Sequence, residues 1–215
     1  IVRLGAPPKA DVYILADTTG SMTPAIAAVK AGATELVNRL VAEVHADLAF
    51  GVGEYKDFPY DPYAFKHSLS LTSDTAAVIA AINTWSASGG FDLPEGQFYA
   101  FDQIAENRAP SHDGGPAGTI GWREGAKRIL VVFGDAPAHD PVCSAITYQV
   151  PGHGVPYSIT EASVTQKLVA SGITFVAISV VTDYPAGMDD DPTTGEDYIR
   201  FCGSPGGSPG QATRL

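Results

Sequence analysis

The chain has 215 residues, enough for one large domain that buries a core without covalent staples; 45% are hydrophobic and 17% charged, ordinary values for a globular fold. Its formal net charge of −11 argues against a nucleic-acid partner, whose phosphates are met by clustered Lys and Arg, and suits cation binding or simple solubility. No apolar run reaches the ~18 residues that cross a bilayer, and the start of the chain carries no signal-peptide pattern, which fits a mature or excised domain.

In chain order the residues predict alternating strands and helices. Val12–Ala16 is apolar throughout and reads as a buried strand. Thr23-Pro24 marks a helix start, with Thr as cap and Pro at the first helical position. That helix runs to about Val44, with Ile26, Val29, Ala33, Val37, Leu40 and Val41 on one stripe. Leu48–Tyr55 is a second strand, and the alternation in Phe65–Leu71 predicts a third, antiparallel and at an edge. Thr72-Ser73-Asp74 caps a helix to about Trp85. Gly89-Gly90 breaks the chain, and Gln97–Asn107 is helical again. Residues 109–126 are rich in Gly, Pro and polar types and read as a long surface loop. Arg128–Phe133 is the most hydrophobic strand and ends in Gly134-Asp135. Ser158–Ala170 is a helix stopped by Ser171-Gly172, and Thr174–Val181 is the last clear strand. The tail carries Asp189-Asp190-Asp191, whose spacing does not match an EF-hand loop, and reads as a solvated acidic loop. The sum is one α/β domain over residues 1–215: doubly wound, a mostly parallel sheet with one antiparallel edge strand and helices on both faces.

In such sheets ligands gather at the carboxyl ends of the strands, where strand order reverses. Asp17-Thr18-Thr19-Gly20-Ser21 leaves the first strand there, with a carboxylate and two hydroxyls at i, i+2 and i+4. Asp57 and Asp135 follow two other strands. The segment Gly90–Gly96, with Asp92, Pro94 and Glu95, can reach the same rim. Five acidic groups on one rim repel one another unless a cation sits between them. A hard divalent ion such as Mg²⁺ takes about six oxygens. Simpler readings stand beside this one. Asp17, Thr19 and Ser21 also suit a helix N-cap cluster, and Asp57 also suits a solvated turn. Phe91, Tyr60, Tyr63 and Trp122 suit either a partner-facing rim or packing under loops. His139-Asp140 has no nucleophile placed against it and reads as a surface loop. Cys143 and Cys202 are either a disulfide, which points to an oxidising compartment, or two buried thiols.

Together these segments resemble a known family. Asp17-Thr18-Thr19-Gly20-Ser21 resembles the Asp-x-Ser-x-Ser metal-ion-dependent adhesion site of von Willebrand factor type A domains, with Thr19 replacing the middle Ser. Phe91–Gly96 resembles the Asp-x-Pro-Glu-Gly segment of the integrin β-subunit I-like domain. Gly51–Asp57 resembles that domain's Gly-x-Gly strand ending in Asp, and Ile129–Ala136 its apolar strand ending in Asp-Ala. The four occur in the family's order within about residues 10–182.

The resemblance implies a Rossmann-like vWA fold and a central Mg²⁺ or Mn²⁺. Ser21, Thr19 and Glu95 would be direct ligands, and Asp17 and Asp135 would act directly or through water. An open position would accept the Asp or Glu carboxylate of a partner protein. A second cation, of the Ca²⁺ kind, would lie on Asp57, Asp92, the Pro94 carbonyl and the far oxygen of Glu95, although Gly90 stands where the family has Asn. Pro24 and Ala25 stand where integrins carry two Asp, so a third, flanking site is not expected. The family places the loops of Cys143 and Cys202 side by side, which leaves a bridge sterically open. It also has a further helix, strand and helix after Thr174–Val181. With Leu215 as the last residue, that part is expected to be missing or differently closed.

The implied role is an adhesion or protein-recognition module at the cell surface or outside the cell, not an enzyme and not inserted into a membrane. A subunit lending its metal rim to a larger assembly, as chelatase-type members do, has the same residues. An enzymatic alternative rests on a weaker likeness. Asp17–Thr23 also resembles the phosphorylated loop of haloacid-dehalogenase-like P-type ATPases, with Asp17 as nucleophile beside Mg²⁺. Thr18 replaces the Lys of that loop, and Pro94-Glu95-Gly96 has no place in it.

Overall fold

The computed structural model describes residues 7–57, 61–90, 93–111, 117–142, 159–182 and 187–188. Tyr60, Phe91, Asp92, Cys143, Asp189–Asp191 and Cys202 therefore lie outside the described residues. The elements are β1 (Lys9–Asp17), a 3₁₀ turn (Gly20–Met22), α1 (Thr23–Glu43), β2 (Asp47–Tyr55), β3 (Phe65–Thr72), α2 (Thr75–Asn83), α3 (Gln97–Ala105), β4 (Lys127–Gly134), α4 (Glu161–Ala170) and β5 (Ile173–Ser179). The strands form one sheet in the order β3-β2-β1-β4-β5. β1 runs parallel to β2 and β4, β4 runs parallel to β5, and β3 closes one edge antiparallel to β2. This is the expected doubly wound sheet with a single antiparallel edge strand. Among the described residues no helix is long and apolar enough to cross a membrane.

The period of two along β1 builds both layers of core. Tyr13 and Leu15 pack with Tyr99, Ile104, Val164 and Leu168, so α3 and α4 cover that face. Ile14 and Ala16 pack with Ile26, Val37, Val78 and Ile82, so α1 and α2 cover the other. Every residue of the apolar run is used because the strand is covered twice. Tyr13 also explains the glycines of β2. A Cβ on Gly51 would stand 2.6 Å from the Tyr13 ring, and one on Gly53 2.5 Å from its hydroxyl. The ring lies across β2 only because two side chains are missing there.

Four expectations change. Thr23 is not the cap of α1 but its first residue; the 3₁₀ turn precedes it, and its hydroxyl donates to the Gly20 carbonyl at 2.7 Å. Val41 is 49% exposed, because the stripe that meets the sheet ends with Leu40. The helix expected from Ser158 begins at Glu161, with Thr160 and Ser163 forming a reciprocal capping box, and Ile159 instead bridges to Val142. Residues 109–126 do not merely coat the surface. Ile120 and Trp122 are buried, and the Trp122 indole donates to the Ile104 carbonyl at 3.0 Å. Arg123 reaches the amino ends of two strands, giving Nε to Asp11 at 2.6 Å and a second nitrogen to Asp47 at 2.9 Å. Trp122 thus packs near Tyr13, with ring centroids 6.3 Å apart, and does not rim the opposite end of the sheet.

Candidate metal centre

Asp17 is the last residue of β1, and Asp135 comes directly after Gly134, the last of β4. These strands are neighbours, Ala16 being paired with Phe133, so the two carboxylates leave the sheet side by side. The connection after β1 passes over the α1–α2 face, and α3 and α4 cover the other. The strands therefore part at a switch point, the place where such sheets hold ligands.

The loop after β1 is folded back on its own carboxylate. Asp17 Oδ1 accepts from the Thr19 backbone N–H at 2.8 Å and from the Thr19 hydroxyl at 2.7 Å, and the Ser21 hydroxyl lies 3.4 Å from that of Thr19. The loop is pinned from one side by Thr18, whose amide donates to the Tyr55 carbonyl at 3.0 Å and whose hydroxyl donates to Glu54 at 3.0 Å. From the other side Ser88 N–H donates to the Thr18 carbonyl and Gly20 N–H to the Gly89 carbonyl, both at 3.0 Å. Gly89 and Gly90 make that approach with positive φ angles of 77° and 74°, which glycine adopts without steric cost.

Glu95 arrives from a distant segment. Its N–H donates to the Pro137 carbonyl at 2.9 Å and its carbonyl accepts from His139 N–H at 3.0 Å, a parallel bridge that ties it to the loop after β4. Gln97 strengthens the same seam by donating to the Ala136 carbonyl at 3.0 Å. A Cβ on Gly90 would meet Thr19 Cβ at 3.0 Å and Glu95 Oε1 at 3.1 Å, so the Glu95 carboxylate and Thr19 both border Gly90. Asp17, Thr19 and Ser21, Glu95, and Asp135, separated by up to 118 positions in the chain, are therefore brought to the same end of the sheet.

The electrostatics of that space are unfavourable to the bare carboxylates. Burial pushes the Asp17 carboxyl up to about 7; the two Thr19 hydrogen bonds pull it down, and Asp135 pushes it up again. Glu95 is raised by burial and then by the charges of Asp17 and Asp57. Among the described residues, Asp17 Oδ2, Glu95 Oε2 and Asp135 Oδ1 are buried oxygens with no hydrogen-bond partner. Each such atom costs roughly 1–3 kcal/mol. A hard divalent cation takes oxygens of this kind, so the donors present suit Mg²⁺ or Mn²⁺. Among the described residues no three His, Cys, Asp or Glu side chains form a ready metal-binding group.

Asp57 is not a solvated turn residue. It is wholly buried, and its Oδ1 lies 2.9 Å from His139 Nε2, also wholly buried. His139 is therefore not a surface-loop residue either; the strand-like tie to Glu95 draws it inward. Pro94 is buried directly before Glu95, and Asp92 lies outside the described residues. Tyr63 is 9% exposed and adds a largely buried aromatic beside Lys66. Two buried groups near the rim carry no pattern that sequence reading could use. Tyr55 is wholly buried, and a Cβ on Gly134 would collide with its hydroxyl. Burial and the charges of Asp17, Glu95 and Asp135 raise the Tyr55 phenol. Lys56 is 5% exposed and donates to the carbonyls of Thr18 and Ser88. Burial lowers its ammonium, and Asp61, Glu54, Asp17 and Glu95 oppose that.

Comparison with known proteins reaches part of this site: the matched segment holds Asp57, Glu95 and Asp135 and leaves out Asp17, Thr19 and Ser21. Residues 56–148 match the family described as the integrin beta chain VWA domain. Integrin beta pat-3 of Caenorhabditis elegans is 41% identical over 80 residues, covering 37% of this chain and 9% of that protein. Alpha-protein kinase vwkA of Dictyostelium discoideum is 24% identical over 166 residues, covering 77% of this chain and 24% of that protein. Integrin beta-6 of Rattus norvegicus is 26% identical over 155 residues, covering 60% of this chain and 18% of that protein. The chain spans about a quarter or less of the length of each.

Proposed function

We propose that this rim is a metal-ion-dependent protein-binding site: residues 56–148 match the integrin beta chain VWA domain, and the doubly wound sheet continues to either side of them. Ser21, Thr19 and Glu95 would hold a Mg²⁺ or Mn²⁺ directly, with Asp17 and Asp135 acting directly or through water. The supporting observation is that Asp17, Glu95 and Asp135 each carry a buried oxygen without a partner among the described residues, with the Thr19 and Ser21 hydroxyls on the loop that follows Asp17. When bound, the ion supplies a Lewis-acidic position for an Asp or Glu carboxylate of a partner protein. The two hydroxyls are neutral donors and leave more of its charge uncancelled than carboxylates would. Asp17 does the orienting: with Oδ1 committed to Thr19, it fixes the direction of that hydroxyl. A second cation, of the Ca²⁺ kind, would use Asp57, Asp92, the Pro94 carbonyl and the far oxygen of Glu95.

The module performs no chemistry in this reading and works at a cell surface or outside the cell. No observation favours the phosphohydrolase alternative: Asp17 is wholly buried, and Thr18 is held by Glu54. Calorimetric titration of Mg²⁺, Mn²⁺ and Ca²⁺ tests the site. The parent chain is expected to bind, and Asp17→Ala and Glu95→Ala are expected to lose binding. Unchanged binding in either variant removes that residue from the site, and phosphatase activity that vanishes with Asp17→Ala would establish the alternative.

A further inference from the structure

We propose that Lys56 is a built-in counter-ion of the rim: a tethered cation that cancels one carboxylate charge, weakens the hold on the divalent ion and leaves that ion more receptive to an anionic guest. This rests on the metal-binding reading above. Lysines are seldom buried without a charged partner, yet Lys56 is 5% exposed. Its described contacts are neutral oxygens: the carbonyls of Thr18 and Ser88, and the Ser88 hydroxyl at 3.5 Å. The ammonium is anchored by dipoles, so its charge remains available to the surrounding acids.

The anchoring points matter. Thr18 belongs to the loop that carries Thr19 and Ser21, and Ser88 belongs to the loop whose Gly89 carbonyl receives Gly20 N–H. The ammonium thus sits on the seam between the two loops that frame the site. The Lys56 carbonyl meanwhile accepts from Gly96 N–H at 3.2 Å, directly beside Glu95. Backbone and side chain of one residue touch three of the segments that build the rim.

Charge counting gives the consequence. Asp17, Glu95 and Asp135 bring three negative charges, and a divalent ion leaves one in excess. A guest carboxylate would then approach a site of its own sign. With Lys56 included, the sum over these groups is zero; Asp61 and Glu54, which also act on the ammonium, stand outside this count, and Glu54 is paired with Lys66 at 2.6 Å. The same charge opposes the metal, because two cations share one set of carboxylates.

The test is Mg²⁺ calorimetry on the parent, Lys56→Gln and Lys56→Arg at one pH, followed by acetate titration into the Mg²⁺-loaded proteins. Lys56→Gln keeps an N–H donor for the carbonyls and drops the charge. It is expected to bind Mg²⁺ at least ~10-fold more tightly and acetate more weakly than the parent does, with Lys56→Arg close to the parent. Equal or weaker Mg²⁺ binding by Lys56→Gln, beside a parent that binds, overturns the counter-ion role alone. A parent that binds no Mg²⁺ overturns the metal reading, and the counter-ion role with it. Should Lys56→Gln not fold, ¹⁵N-lysine NMR of the parent decides. A Lys56 ammonium signal, assigned with Lys56→Arg, moves on adding Mg²⁺ if the role is right, and an unmoved signal overturns it.

Discussion

Without a divalent ion, ionised Asp17 is a liability to the fold, and Asp17→Asn should stabilise the chelated protein at alkaline pH. The carboxyl moves from an ordinary value of 3.8 to about 7 on folding, which corresponds to about 4 kcal/mol. Its folded value is raised, so the native chain holds the proton longer than the unfolded one. The stabilisation from the protonated form is whole below about pH 4, declines as pH rises, and is gone above about pH 7. Asparagine keeps Oδ1 as acceptor for the Thr19 N–H and hydroxyl and carries no charge at any pH. Its amide N–H₂ replaces an oxygen that has no partner, which costs ~1 kcal/mol. The net expectation is about 3 kcal/mol in favour of Asp17→Asn at pH 8 in EDTA, shrinking toward zero or below near pH 4. Urea unfolding followed by circular dichroism at half-unit pH steps measures it. Saturating Mg²⁺ should narrow the gap at pH 8 by stabilising the parent alone. A gap that stays level or narrows between pH 5 and 8 in EDTA would refute the reasoning.

Three further outcomes follow from packing and hydrogen bonding. Arg123→Ala leaves Asp11, wholly buried, without the guanidinium 2.6 Å away; a loss of about 3–5 kcal/mol is expected in urea midpoints, with Mg²⁺ affinity unchanged in the folded protein because the change lies at the other end of the sheet. Gly53→Ala drives a methyl to 2.5 Å from the Tyr13 hydroxyl and should cost about 1–3 kcal/mol. The same change in a Tyr13→Phe background should cost less, which a double-mutant cycle reads directly. Asp74→Ala removes the acceptor for the N–H groups of Ala76 and Ala77 and should lower stability by ~1 kcal/mol, seen as a lower melting temperature at unchanged metal affinity.

The elements were largely legible because they depend on short periods. The run Val12–Ala16 became the centre of β1, Phe65–Leu71 became the antiparallel edge strand, and Asp74 caps α2. Errors fell where a non-local contact outweighs a local preference. Thr23 and Pro24 make a good helix start, yet the hydroxyl of Thr23 turns to the 3₁₀ carbonyl of Gly20. The polar, glycine-rich loop after Ala109 reads as surface, yet Arg123 meets a buried carboxylate 112 positions away and draws Trp122 into the core.

For the candidate site the division is sharper. Carboxylate and hydroxyl at i, i+2 and i+4 after a buried strand are a local pattern, and strand ends tell where Asp135 emerges. By itself the sequence determined the alternating strands and helices, the sheet class and the oxygen-bearing residues at the strand ends. Only the tertiary structure decided that Glu95 and Thr19 both border Gly90, that His139 is sealed against Asp57, and that a lysine is enclosed between the loops. The physical reason is that periodicity depends on neighbours a few residues away. Burial of a charge depends on segments that meet only when the sheet is assembled, and the pattern of adjacent residues carries no trace of it.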